Sequence, residues 1–144
     1  MGGQTYRDLE VWQKSMDLVV EIYQLTRLFP KDEQFGLTSQ IRRSVTSVPA
    51  NVAEGQGRLH KGDFLRFLSI ARGSLAETET HLMVAVRLEY LDKDQARNVW
   101  ALLQEVGRLL NGLIKSLEPS QIDNRLLETL EEYDTDYRLP TTDN

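Results

Sequence analysis

Apolar residues recur along this chain at spacings of three and four, the repeat of a helix, and no stretch follows the two-residue alternation of a strand. The first helix is predicted from about Tyr6 to Leu28. Leu9, Trp12, Met16, Val19 and Tyr23 share one of its faces, and Val11, Leu18, Ile22, Leu25 and Phe29 form a second stripe beside it. One stripe would bury a helix against its neighbours in a bundle. Two make a wide apolar arc and predict a further surface that needs covering. Pro30 ends the helix, because the residue before a proline is pushed away from helical geometry.

A second helix is expected to begin between Asp32 and Thr38 and to carry Ile41, Val45, Val48 and Val52 inward. Pro49 lies within it and predicts a kink, since a proline there removes one hydrogen bond and crowds the preceding turn. Gly55 and Gly57 are read as its stop, supplying positions open to positive φ. The third helix is placed from about Asp63 to Leu91, with Phe64, Leu68, Ala71, Leu75, Leu82 and Val86 buried. Its small residues Gly73, Ser74 and Ala76 predict close approach of another backbone, for which the segment around Pro49 is the candidate. The fourth helix, Lys93 to Leu117, opens with Asp92 and Gln95 at capping-box spacing and carries two stripes. Val99, Leu102, Val106, Leu109 and Leu113 form one, and Trp100, Leu103, Leu110, Ile114 and Leu117 the other. Pro119 closes it.

Four long helices on short connectors give an all-α fold: an antiparallel up-down-up-down four-helix bundle over residues 1–118. Residues 119–144 form an acidic C-terminal extension, in which Ile122, Leu126, Leu130 and Tyr133 allow one short amphipathic helix before a frayed end at 134–144.

Charge sharpens this division. Residues 1–116 hold fifteen Lys/Arg against fourteen Asp/Glu, whereas 117–144 hold two against eight, so the chain's net charge of −5 belongs to its tail. Within the body, Arg42, Arg43, Arg58, Lys61, Arg66 and Arg72 are opposed between positions 40 and 72 only by Glu54 and Asp63. These cations are either a solvated face or a phosphate-binding stripe, and such stripes supply most nonspecific affinity for nucleic acid. Phe64 and Phe67 read as core, which leaves little aromatic surface for base stacking. The chain has no cysteine, which removes disulfides, thiolate metal sites and cysteine nucleophiles and fits a cytoplasmic location. The polar start from Met1 to Leu9 has no apolar signal-peptide core, and no apolar run approaches the ~20 residues that cross a bilayer.

Catalytic chemistry finds little support. No Gly-rich phosphate loop precedes Lys-Ser/Thr. A di-iron bundle site needs Glu-x-x-His on two helices, and neither His60 nor His81 follows a Glu at that spacing. Glu77 and His81 are four apart on one helix face, too few to hold a metal. Ser74 and His81 are seven apart, roughly 10 Å along a helix, beyond hydrogen-bond reach. No cofactor or metal is therefore expected. What remains is a polar group of Asn51 and Glu54 on the second helix and Ser74, Glu77 and Glu79 on the third. These residues either satisfy backbone groups released at Pro49 or pair with Arg42, Arg43 or Arg72, or else they line a ligand site or subunit interface.

The runs Leu9-Glu10-Val11-Trp12-Gln13-Lys14, Phe35-Gly36-Leu37-Thr38-Ser39-Gln40-Ile41-Arg42-Arg43-Ser44, Ser47-Val48-Pro49-Ala50-Asn51-Val52-Ala53-Glu54-Gly55 and Phe64 to Glu77 closely resemble the four-helix-bundle family of ribosomal-RNA intervening-sequence proteins. The resemblance spans about residues 6–118. It implies an antiparallel bundle assembled into a ring-like homopentamer, and kinship with accessory proteins of diversity-generating retroelements, which work with a reverse transcriptase and RNA. It implies no enzymatic activity, and nucleic-acid binding is the role usually suggested for the family. The family signature falls here on Gln40, Arg42, Arg43, Pro49, Asn51, Glu54, Gly55, Gly73, Ser74 and Glu77. His60 stands where the family often has a Ser or Thr helix cap, and the extension after Pro119 is longer than a minimal member needs. Two functions are carried forward from the sequence. One is RNA or DNA binding through the basic stripe, beside a nucleic-acid enzyme such as a reverse transcriptase. The other is a protein-interaction scaffold, in which those charges serve interfaces.

Overall fold

Five α-helices and no strand make up the described part of the computed structural model, which comprises residues 5–118 and 121–136, with side chains described for 125–132 of the last helix. They are α1 Glu10–Thr26, α2 Leu37–Gln56, α3 Lys61–Arg87, α4 Lys93–Leu117 and α5 Gln121–Asp136. Each of the first four packs on the next, and α4 closes against α1. Their directions follow from who meets whom. Ser44 on α2 bonds Thr78 on α3, and Ser47 bonds Ser74, so numbers rise on one helix as they fall on the other. Arg42 reaches back to Thr26 across α1 and α2. Leu75 lies beside Gly107 and Arg72 beside Asn111 across α3 and α4. The bundle is antiparallel throughout.

The core is aliphatic and sealed. Leu18, Ile22, Ile41, Val45, Val48, Val52, Leu68, Leu82, Leu103, Val106 and Leu110 are essentially without solvent contact. Each such side chain contributes roughly 1.5–3 kcal/mol by leaving water. The predicted inner stripe of α2 is buried in full. The two stripes of α1 differ in depth: Val11, Leu18, Ile22, Leu25 and Phe29 are core, while of the other stripe Leu9, Trp12 and Val19 are half-buried against it and Met16 and Tyr23 are exposed. In α4 the buried line is Ala96, Val99, Leu103, Val106 and Leu110, which draws on both predicted stripes and leaves Leu102, Leu109, Trp100 and Ile114 half-buried on its flanks. In α3, Phe67, Thr78 and Ala85 belong to the buried face, with Phe64 and Val86 at its margin.

Several element ends differ from the reading above. Residues Tyr6–Asp8 form a 3-10 turn, not the start of the helix. Thr5 and Asp8 cap one another, Leu9 is extended, and Tyr6 sets its ring edge-on to Trp12 at 5.2 Å. α3 starts two residues earlier than expected, behind His60, which makes no side-chain cap. It stops at Arg87 in a Schellman turn: Tyr90 N–H donates to the Ala85 carbonyl and Glu89 N–H to that of Val86. Glu89 holds φ at 63°, a conformation usually left to glycine, and this delivers Tyr90 against Phe29 at 5.8 Å. A stop without glycine left no mark in the sequence. The capping box of Asp92 and Gln95 and the span of α4 are as predicted. Pro49 lies inside α2, which continues to Gln56.

The glycines also change role. No described glycine has positive φ, and Gly57 caps α2 in ordinary helical geometry. Gly55 lies within α2 and is buried there; a Cβ on it would fall 2.8 Å from Phe67 Cβ and 2.9 Å from Phe64 Cδ2. It is a close-approach residue. Gly73, expected to fill that role, has nothing within 4 Å of where its Cβ would stand. Pro119, the side chains of Ile122 and Tyr133, and the end at 137–144 lie outside the described residues.

Candidate nucleic-acid interface

The six basic residues do not form one stripe. Arg42 and Arg43 sit near the start of α2, and Arg58, Lys61 and Arg66 gather where α2 hands over to α3. At 1.5 Å per residue the two groups are roughly 24 Å apart along the bundle. Arg42 is half-buried and committed internally: its Nε donates to Thr26 Oγ1 at 2.9 Å and its guanidinium lies 4.6 Å from the Tyr23 ring centre. Arg43 is exposed beside it. Arg72 points across to Asn111 on α4, at 3.5 Å.

The tip at the α2–α3 junction is built differently. The gap left by Gly55 admits Phe67, which is only 7% exposed. Over that ring lie two guanidiniums, Arg58 at 4.9 Å and Arg66 at 4.5 Å from its centre. Such contacts hold a cation over an aromatic face while leaving its N–H groups free to bind. Glu54 accepts a hydrogen bond from Arg58 at 2.8 Å, an exposed pair one helical turn apart. Lys61, Leu59 and His60 complete the tip, all exposed, and Leu59 is 95% so. Phe67 had been read only as core. Its neighbour Gly55 had been read as a stop, so the aromatic seat of the two arginines went unseen.

The polar group is dispersed as well. Asn51 donates to the carbonyl and hydroxyl oxygens of Ser47, whose hydroxyl in turn bonds Ser74 at 2.9 Å. One turn away, Thr78 Oγ1 lies 2.8 Å from Ser44 Oγ, to which it donates, and Ser44 donates to the Ile41 carbonyl. Asn51 and Ser74 thus belong to a hydroxyl seam between α2 and α3, with Ser44, Ser47 and Thr78 as members that went unrecognised. Their spacing of three and four on facing helices was the available signal. Of the alternatives, pairing with Arg42, Arg43 or Arg72 is absent from the bonds Asn51, Glu54 and Ser74 make. Glu54 faces the tip, and Gln40 is exposed. Glu77 Oε1 stands 3.6 Å from His81 Nε2, which is buried without a hydrogen-bond partner. Among the described residues no three His, Asp or Glu gather as metal ligands, and no helix is long and apolar enough to cross a membrane.

These features define an all-helical bundle with cations at its exterior. Over residues 7–112 the chain matches the family described as 23S rRNA-intervening sequence protein, and it belongs to that family. A solved relative is the crystal structure of a protein with unknown function from the S23 ribosomal protein family of Bacteroides thetaiotaomicron. It is 32% identical, with a TM-score of 0.68, over 73% of this chain and 95% of that one. None of the curated proteins matches the chain.

Proposed function

We propose that this protein is a non-catalytic, self-associating bundle, a homopentamer as the family resemblance implies, that binds RNA or DNA phosphates through the tip at Arg58, Lys61 and Arg66. The observation that carries this reading is the seating of two guanidiniums on one buried ring. Two long cationic side chains held on a fixed surface lose less freedom on binding than two that swing in water. Arg43 and Arg72 lie away from the tip and add charge only, and Arg42 serves the fold. The contacts are to phosphates, with no reading of base edges.

Binding of a fluorescein-labelled RNA or duplex DNA, followed by anisotropy, should weaken steeply with salt, with a log–log slope near −0.9 for each phosphate neutralised on duplex. The triple variant R58E/K61E/R66E should lose about a hundredfold or more at low salt, while R43E changes affinity by only a few-fold. Salt-independent binding, or none at low salt, overturns the proposal. Light scattering tests self-association, and a monomer refutes that part.

A second reading, a protein-interaction scaffold, draws on the exposed apolar stripe of α1, where Met16, Val20 and Tyr23 are 41%, 55% and 38% exposed. Pull-down with nuclease treatment separates the two readings. Partners that survive nuclease favour the scaffold.

A further inference from the structure

Between α3 and α4 lies an open groove of about 560 Å³. Leu82, Met83, Val86 and Trp100 line it, and Met83 is 44% exposed. Its rim is basic: Arg87, Lys93 and Arg97 all border it. Arg97 is paired with Asp94 at 2.8 Å, whereas Arg87 and Lys93 take part in no ion pair among the described residues. A groove of this kind suits an apolar ridge carried on an acidic helix.

The chain itself carries such a ridge. In α5, Leu126, Leu127 and Leu130 stand at helical spacing and are 58%, 54% and 55% exposed. Glu131 borders them, Glu128 and Glu132 lie on the far side of the helix, and the helix as a whole holds six acids against Arg125. Among the described residues the α5 backbone does not pack on any helix of the bundle. A helix of 16 residues is marginal in water without a surface to bury its apolar face.

The groove of its own bundle lies out of its reach. Were α5 to fold back along α4 after Glu118, Leu130 would lie opposite about Arg108 and Leu126 opposite about Gly112. Those positions fall roughly 12–18 Å short of Trp100 along the helix axis. We therefore infer that the α3–α4 groove receives the acidic α5 helix of a second copy of this chain, its leucines against Met83 and Trp100 and its net negative charge drawn to the rim of Arg87 and Lys93. The inference rests on the self-association proposed above and adds which surfaces meet.

The absence of cysteine makes the test direct. Full-length M83C and L130C chains, distinguished by size tags and co-expressed, should form a disulfide-linked heterodimer under mild oxidation. A control pair of L130C with V20C, on the exposed side of α1, should link far less. Adding R87E/K93E to the M83C chain should cut the yield about tenfold, since rim charges steer such an encounter. Equal linking to Val20→Cys overturns the inference. So does a bridge confined to one polypeptide in a dilute M83C/L130C double variant. Light scattering of the unmodified protein separates the failures: an oligomer without the Met83–Leu130 bridge overturns this docking alone, and a monomer overturns self-association with it.

Discussion

The two faces of α3 are packed by opposite means. Toward α2 it presents small and hydroxylated residues, Ser74 and Thr78, which meet Ser44 and Ser47 at hydrogen-bond distance, and nearer the tip Gly55 brings the α2 backbone onto Phe67. Toward α4 it presents Leu75 and Leu82 against Leu103, Ala96 and Trp100, and the contact opens into a groove. The first face has a fixed register, because hydroxyl pairs bond only at one alignment. The second is held by side chains that fill space without direction, and it can leave room. Packing to a specified register and packing that stays available to a partner are thus divided between the sides of one helix.

The sharpest way to break this contrast is to add one methyl group to each side. Gly55→Ala drives a Cβ to within 2.8 Å of Phe67 Cβ, on a neighbouring helix and close to the backbone. It should destabilise the protein by about 1–3 kcal/mol even after the helix gains from alanine. That is a loss of several degrees in melting temperature. The same change at Gly107 meets only Leu75 Cδ2, at 3.5 Å, an ordinary contact. It should be neutral or stabilise by about 0.5 kcal/mol. Urea denaturation of the pair measures both, and a Gly55→Ala protein as stable as the parent would dissolve the distinction.

Next in size is the seam itself. Thr78→Val keeps the shape and removes the buried hydroxyl that donates to Ser44, which should cost about 1 kcal/mol. A double-mutant cycle with Ser44→Ala should return a coupling of about 0.5–1.5 kcal/mol. Additive losses would mean that the two hydroxyls act independently.

The smallest effect is expected at the end of α3. Burial, then the carboxylate of Glu33 that accepts its hydrogen bond, then Asp32, raise the Tyr90 hydroxyl above its ordinary value of 10.0. Folding therefore favours the neutral phenol. Its contribution is complete below the unfolded value and is lost as pH climbs through the higher folded one. Melting temperatures recorded from about pH 9 upward should fall less steeply for Tyr90→Phe than for the parent. Parallel curves would refute the assignment.

Much of this was legible before any coordinates. The inner stripe of α2, the capping box at Asp92 and the excess apolar arc of α1 all follow from periodicity and residue chemistry. What escaped was information that lives between helices. Gly55 and Gly73 look alike in sequence, yet only one of them faces a phenylalanine. Glu89 carries no turn signature, because its left-handed backbone is imposed by the Schellman hydrogen bonds and the docking of Tyr90. The basic residues are close in number, but a helix of 20 residues carries Arg42 and Arg58 to opposite ends of the bundle. Linear charge density is therefore a poor guide to a surface patch.

Phe67 belongs to α3, so Arg66 keeps its seat whatever becomes of the connector before it. The connector can then be lengthened at Leu59 without unseating that guanidinium. Leu59, 95% exposed, is a natural attachment point for a fluorophore or an inserted reporter, close enough to sense a bound strand and apart from the contacts of Arg58 with Glu54 and Phe67.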